Sequence, residues 1–284
     1  MPTDAVTLAG RPVHRMGFGA MQLPGPGVLG PPADRDSALT VLRRAVAAGV
    51  DHIDTAQFYG PDVANELIRE ALSPYPEELV LVSKVGARRD GQGQWLPAQT
   101  PGELRAGVEA NLRSLGVERI PVVNLRRIPG AGVPLTDQLS AMARLRDEGL
   151  IDGIGLSNVT LDEYRTARTQ IEVACVQNAY NVTGRSEQAL FDACGTDAVP
   201  FVPFFPLGSA FLPDNPVLTA PAVVESARRL GATTAQVALA WLLAQAPTVL
   251  LIPGTSSLGH LEENLAATGL VLDDEALALL DAAG

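Results

Sequence analysis

The chain alternates a short apolar run with a longer segment of helical period eight times over, and few architectures accommodate that beat. The strand candidates are MGFGAM (16–21), HIDTA (52–56), LVLVSK (79–84), IPVVNLR (120–126), IDGIGLS (151–157), VACVQN (173–178), VPFVPF (199–204) and TVLLIP (248–253). Between them, SALTVLRRAVAAG lines one face with Leu39, Leu42 and Val46, and TPGELRAGVEANLRSLG opens on a Thr100 N-cap with Glu103 three residues later. Buried strands interleaved with helices pair in parallel, and eight such units in ~250 residues are the number at which a parallel sheet closes on itself. The expected fold is therefore α/β, a (β/α)8 TIM barrel. An N-terminal hairpin is expected around Ala9-Gly10-Arg11, with appended helices in PAVVESARRLG, TAQVALAWLLAQ and the acidic tail DDEALALLDA. A doubly wound open sheet is disfavoured, because MGFGAMQLPGPG runs into proline where a dinucleotide fingerprint would open a helix. No linker breaks the pattern, so one domain over 1–284 is expected.

Composition limits the partners. Apolar residues make up 46% and charged residues 19% of the 284, a globular balance. The net charge of -11 offers no basic field for nucleic acid or anionic lipid. Cys175 and Cys194 lack metal-ligand spacing, nothing at the N-terminus resembles a signal peptide, and no window approaches the roughly 20 apolar residues of a membrane span. A soluble, cytoplasmic protein is expected. Its oligomeric state is not encoded in any such pattern.

In a barrel of this kind the chemistry sits where the strands end, so polar residues at the last inward positions are site candidates. Period-two alternation turns Asp54, Lys84, Arg126 and Gln177 inward, with Tyr59 reaching over from the loop after Asp54. His52 shares the face of Asp54 but lies about 6.6 Å deeper at ~3.3 Å per residue, which suits interior packing. A lone tyrosine is a poor acid near neutral pH; an ammonium beside it favours the phenolate, and a carboxylate can hold that ammonium. Tyr59 as proton donor, Lys84 beside it and Asp54 holding Lys84 form the chemical hypothesis. A buried Asp–Lys pair kept only for structure is the bland alternative.

These residues resemble the aldo-keto reductase superfamily over nearly the whole chain. IDTAQFYG is similar to the segment carrying the family's catalytic aspartate and tyrosine, and LVLVSKV to the strand carrying its lysine. The resemblance implies nicotinamide contacts from Ser157 and Asn158 in GLSN and from Gln177 in VQNAYN. In PFFPLGSAFL it implies a stacking ring at Phe204, with Pro206, Leu207 and Gly208 along the cofactor, and Gly19 and Met21 are implied at the first strand's end. IPGTSSLGHLEENLAA looks like the adenosine-end motif, implying Gly254, Thr255, Ser256, Ser257, His260, Glu263 and Asn264. Hydroxyls and backbone N–H groups at a helix start suit phosphate there in any case.

The implied activity is reduction of an aldehyde or ketone with NADPH, NADH being possible, on a small-molecule carbonyl substrate and without a metal. Two departures stand out. Arg126 occupies the place of the family's usual histidine, so it acts as an electrophile, grips an anionic substituent, or fills the pocket and cripples turnover. Gly254 and His260 stand where NADPH-preferring members often have lysine and arginine. A non-catalytic nicotinamide-binding redox sensor is the rival reading, and a lyase or isomerase using Lys84 as a Schiff-base amine a weaker one.

Overall fold

The structure is a computed structural model describing residues 5–209 and 215–284. Six strands form a parallel sheet in the order β3 (Phe18–Gly19), β4 (His52–Asp54), β5 (Val80–Val85), β8 (Ile120–Arg126), β9 (Ile151–Ser157) and β10 (Val173–Gln177). Segments 199–204 and 248–253 complete the ring through isolated parallel bridges, Val176 with Phe201, Ala179 with Phe204, Phe201 with Val249 and Leu251 with Met16. Gly17 N–H closes the circle by donating to the Leu251 carbonyl at 2.7 Å. The eight-stranded barrel expected from the alternation is thus the fold. Its seventh and eighth members are bridges rather than ladders because Pro200, Pro203 and Pro253 lack the N–H a ladder needs.

The expected hairpin is present as β1 (Ala5–Leu8) and β2 (Arg11–His14), joined through Ala9 and Gly10 at φ of 48° and 79°. Two positive-φ residues give the turn whose twist matches its strands. Val6, Leu8 and Val13 of this hairpin pack on Val80, Val82, Val122, Cys175, Val202 and Leu250 from inside the barrel, plugging its N-terminal end. Residues 86–99, which carry no predicted element, form a second hairpin of β6 (Ala87–Arg89) and β7 (Trp95–Pro97). Its turn is held by Asp90, whose Oδ1 accepts from Gln92 N at 2.9 Å and Gln94 N at 2.8 Å.

Helices cover the outside. In α1 (Arg35–Ala47) Leu39 and Leu42 are buried and Asp34 caps the first turn through Ser37 N at 2.9 Å. α2 (Val63–Leu72) follows β4, and α3 (Pro101–Leu115) opens with the expected Thr100–Glu103 capping box. α4 (Leu135–Asp147), α5 (Leu161–Arg168) and α6 (Gln188–Thr196) follow β8, β9 and β10. The appended helices are α7 (Pro221–Leu230), α8 (Thr234–Gln245) and, after α9 (Leu258–Ala266), the terminal α10 (Asp274–Asp281). Trp241 on α8 is fully buried and donates to Asp281 at 2.8 Å, which pins α10 in place. Among the described residues no helix is long and apolar enough to cross a membrane.

Candidate active site

Asp54, Arg126, Ser157 and Gln177 end strands at the same rim, and Lys84 lies one residue before the end of β5. Asp54 and Lys84 are 4% and 2% exposed, so their charges need mutual compensation. Lys84 Nζ pairs with Asp54 Oδ1 and donates to the Thr55 carbonyl at 3.0 Å. The other carboxylate oxygen accepts from Gln177 Nε2 at 2.9 Å. Burial opposes the ammonium form of Lys84, but the Asp54 charge and then Tyr59 outweigh it and raise its pKa. An amine held this way has no free lone pair, which removes the basis for a Schiff-base role. Tyr59 is buried, and Lys84 Nζ lies 5.0 Å from the centre of its ring.

A buried polar network stands behind this cluster. Thr55 Oγ1 donates to Asn65 Oδ1 at 2.8 Å, while Asn65 Nδ2 and Ser83 Oγ meet Asn111 Oδ1 at 2.9 and 2.5 Å. Asn111 Nδ2 in turn donates to the carbonyl of Lys84 at 3.3 Å. Thr55 and Ser83 face outward beside inward Asp54 and Lys84, so the network ties both strand ends to α2 and α3. Its sequence signal is a polar residue at four outward or helix-facing positions where apolar ones would normally sit.

Two cavities meet at Tyr59. One, of about 190 Å³, is walled by the rings of Phe58, Tyr59, Trp95, Phe204 and Phe205, with Lys84, Arg126 and Gln177 at its polar end. Phe58 meets Tyr59 and Trp95 edge-on, each at 5.5 Å, so the second hairpin brings Trp95 over the mouth, where Arg89 lies 4.3 Å from its ring. Phe58 and Phe205 carry no sequence signal for this role, because aromatic residues beside a strand ordinarily belong to the core. Arg126 is half-buried, lies 5.6 Å from the Phe204 ring and donates to Ser157 Oγ at 3.4 Å. It leaves the cavity open.

The second cavity, about 110 Å³, contains Gly19, Met21, Asp54, Tyr59, Gln177, Phe204, Pro206, Leu207, Gly208 and Gly254 in its wall. Met21 and Gln22 also line a space of about 610 Å³ that has Ser256 in its wall, so the two spaces lie side by side between Tyr59 and the start of α9. Gln22 is a further wall residue without a sequence signal. At α9 the three hydroxyls divide their work. Thr255 Oγ1 accepts from Ser257 N at 3.0 Å and Ser257 Oγ caps the helix through His260 N at 3.4 Å, while Ser256 is exposed. His260 is exposed, Glu263 half-buried and Asn264 buried on the same helix. Gly254 has a packing reason to be glycine: a Cβ there would collide with the Gly19 carbonyl oxygen, and one on Gly19 with the Ile252 carbonyl. Asn158, at a φ of 58°, spends its Nδ2 on the Arg127 carbonyl at 2.9 Å, leaving its oxygen toward solvent.

Neighbouring spaces with the Ser256 hydroxyl at a helix start on one side and the Gln177 carboxamide and Tyr59 hydroxyl on the other fit a dinucleotide. His52 is 2% exposed and its Nε2 has no hydrogen-bond partner, as interior packing rather than catalysis would have it. Burial pushes the thiols of Cys175 and Cys194 up to about 12, so neither is a nucleophile near neutral pH.

A barrel of eight parallel strands with an Asp–Lys pair against a tyrosine at its C-terminal rim defines an oxidoreductase class. The Aldo/keto reductase family model matches residues 15–284, and the chain belongs to that family. It is 50% identical to a pyridoxine 4-dehydrogenase of Escherichia coli, over 99% of this chain and 98% of that protein. It is also 39% identical to an uncharacterized oxidoreductase of Schizosaccharomyces pombe, over 96% and 87% of the two chains. Among solved structures, a thermostable aldo-keto reductase in complex with the inhibitor epalrestat superposes with a TM-score of 0.84 at 31% identity, covering 99% of both chains. An aldo-keto reductase of Klebsiella pneumoniae in complex with NADPH gives 0.83 at 27% identity, covering 99% of this chain and 95% of that one.

Proposed function

We propose that this aldo-keto reductase interconverts pyridoxal and pyridoxine with NADPH, Tyr59 carrying the proton. The observation that carries the reading is the Asp54–Lys84 pair set against Tyr59 at the head of a ring-walled cavity. The substrate follows from half-identity along the full chain to a pyridoxine 4-dehydrogenase, together with a cavity whose aromatic walls suit a flat heterocycle. Gln177, Ser157, Asn158 and Phe204 would hold the nicotinamide end, and Ser256, the α9 start, Glu263 and Asn264 the adenosine end. Bound there, NADPH supplies hydride for the aldehyde carbon.

Tyr59 hydrogen-bonds the aldehyde oxygen and delivers its proton as negative charge develops there. Lys84 steadies the resulting phenolate, and Asp54 keeps the ammonium aimed, since its second oxygen is fixed by Gln177. The rings of Phe58, Trp95 and Phe204 exclude water, so these charges act in a medium of low dielectric. In the reverse direction the phenolate takes the alcohol proton.

Purified protein with NADPH and pyridoxal should lose absorbance at the reduced-nicotinamide band while pyridoxine appears in equal amount by chromatography. Tight NADPH binding without turnover of pyridoxal or any simple aldehyde would favour the redox-sensor reading instead.

A further inference from the structure

We infer that Arg126 is the specificity residue of this site, gripping through its guanidinium fork both the carbonyl oxygen and an ionised hydroxyl on the neighbouring ring carbon of an aromatic aldehyde. The inference rests on the reductase reading above and goes beyond it by fixing which feature of the substrate is recognised. It starts from a charge balance. Two ionised side chains line the ring-walled cavity, Lys84 and Arg126; Lys84 is neutralised from behind by Asp54, whose other oxygen is committed to Gln177. Arg126 is left over. Its neighbour in sequence, Arg127, is paired with Glu163 at 3.0 Å, whereas Arg126 has only the Ser157 hydroxyl at 3.4 Å and the face of Phe204 at 5.6 Å. Among the described residues no carboxylate reaches it.

A half-buried, uncompensated guanidinium in an aromatic slot favours an anion that is flat. The Ser157 hydroxyl and the nearby Phe204 ring hold the guanidinium at the cavity wall, and the parallel N–H groups of such a fork match two oxygens set side by side. A carboxylate presents such a pair, and so does an aldehyde with a phenolate oxygen on the next ring atom. Only the second also offers a reducible carbon, and it is the arrangement that pyridoxal carries at its 3 and 4 positions. Tyr59 lines the same cavity and can reach the carbonyl oxygen as well. In the step itself the C=O π bond breaks, hydride from NADPH forms the new C–H bond, and the Tyr59 proton forms the O–H bond. Arg126 donates hydrogen bonds throughout and exchanges no proton. A histidine in its place would offer one donor and, when neutral, no charge.

The test compares 3-hydroxypyridine-4-carbaldehyde, its 3-methoxy ether and pyridine-4-carbaldehyde as substrates, by kcat/KM, for the wild type, Arg126→His and Arg126→Gln. The wild type should prefer the hydroxy aldehyde over both others by on the order of ten- to a hundredfold, the worth of a hydrogen bond between charged groups. In either variant the ratio should fall to about one whatever the absolute rates, a change that a merely structural role for Arg126 would not produce. The methoxy comparison needs no variant, so misfolding of a substituted protein leaves the inference open to refutation. Equal use of all three aldehydes by the wild type, or an unaltered preference in a folded variant, would overturn the assignment of Arg126 while leaving the reductase reading intact. Failure of the wild type to reduce any of them would overturn both.

Discussion

The two ends of the barrel are made from the same strands and differ in everything else. Toward the N-terminal end, inward positions carry Val80, Val82, Val122, Cys175 and Leu250, closed off by the first hairpin. Two residues further along the same faces come Lys84, Asn124 with Arg126 beyond it, Gln177 and Ile252. One pleat step separates an apolar plug from an ionised rim. Chain geometry is identical at both places, so the difference is a choice of side chain: the plug holds the barrel together, while the rim works against its own burial. A larger cavity, about 740 Å³, does open on the N-terminal side near the hairpin turn, where Arg168 pairs with Asp197, Asp152 with Arg119 and Arg146 with Asp147. Size alone does not mark the site.

With that division, substitutions at the rim should change rate and those at the plug should change stability. The largest effect is expected for the double variant Asp54→Asn/Lys84→Met, which removes the pair without leaving a lone buried charge: kcat for pyridoxal should fall by ~10²–10⁴, the range for loss of assisted proton transfer, with cooperative unfolding retained. At the other end, Leu8→Ala should lower the unfolding free energy by ~2–5 kcal/mol in urea titrations, yet leave kcat within about twofold. A comparable loss of activity from Leu8→Ala would erase the distinction between plug and rim.

Between the two lies the network behind the rim. Asn111→Ala strips partners from Asn65, Ser83 and the Lys84 carbonyl, so a stability loss of ~1–3 kcal/mol is expected together with a fall in kcat, because both strand ends lose their tether. A stability loss with unchanged kcat would make it scaffolding only.

The smallest effect is a pH dependence. The folded pKa of Lys84 is raised above its unfolded value, so the stability it contributes is complete below the ordinary lysine pKa and fades as pH rises through the folded one. Thermal midpoints of wild type and the Asp54→Asn/Lys84→Met variant should run in parallel near neutral pH and converge only in the alkaline range above about 10.4. Parallel curves throughout would mean that the lysine is not held as an ammonium by the fold.

Much of this architecture is legible in the amino-acid sequence. The eight-fold alternation encodes the barrel, since parallel strands need a helix between them, and the inward phase of each strand follows from its apolar residues. Thr100 with Glu103 announces α3 down to its cap. What the sequence hides has physical causes. Prolines at 200, 203 and 253 thin two strands to bridges, a matter of lost donors that an apolar run does not reveal. The second hairpin rests on Asp90 and a short stretch with little hydrophobic contrast, so the position of Trp95 over the pocket depends on a turn that no periodicity marks. The contact between Gln177 and Asp54 joins residues 123 apart in sequence, and no spacing rule encodes it. Gly254, which by its place in the motif reads as a missing phosphate ligand, is a steric necessity against Gly19.

The role we propose for the Tyr59 phenol as proton source is tested most sharply by single-turnover reduction of pyridoxal by Tyr59→Phe saturated with NADPH. Removing one hydroxyl should slow the step by ~10²–10⁴ while NADPH affinity, followed by protein fluorescence, stays within a few fold. A variant that transfers hydride at the wild-type rate would contradict the assignment.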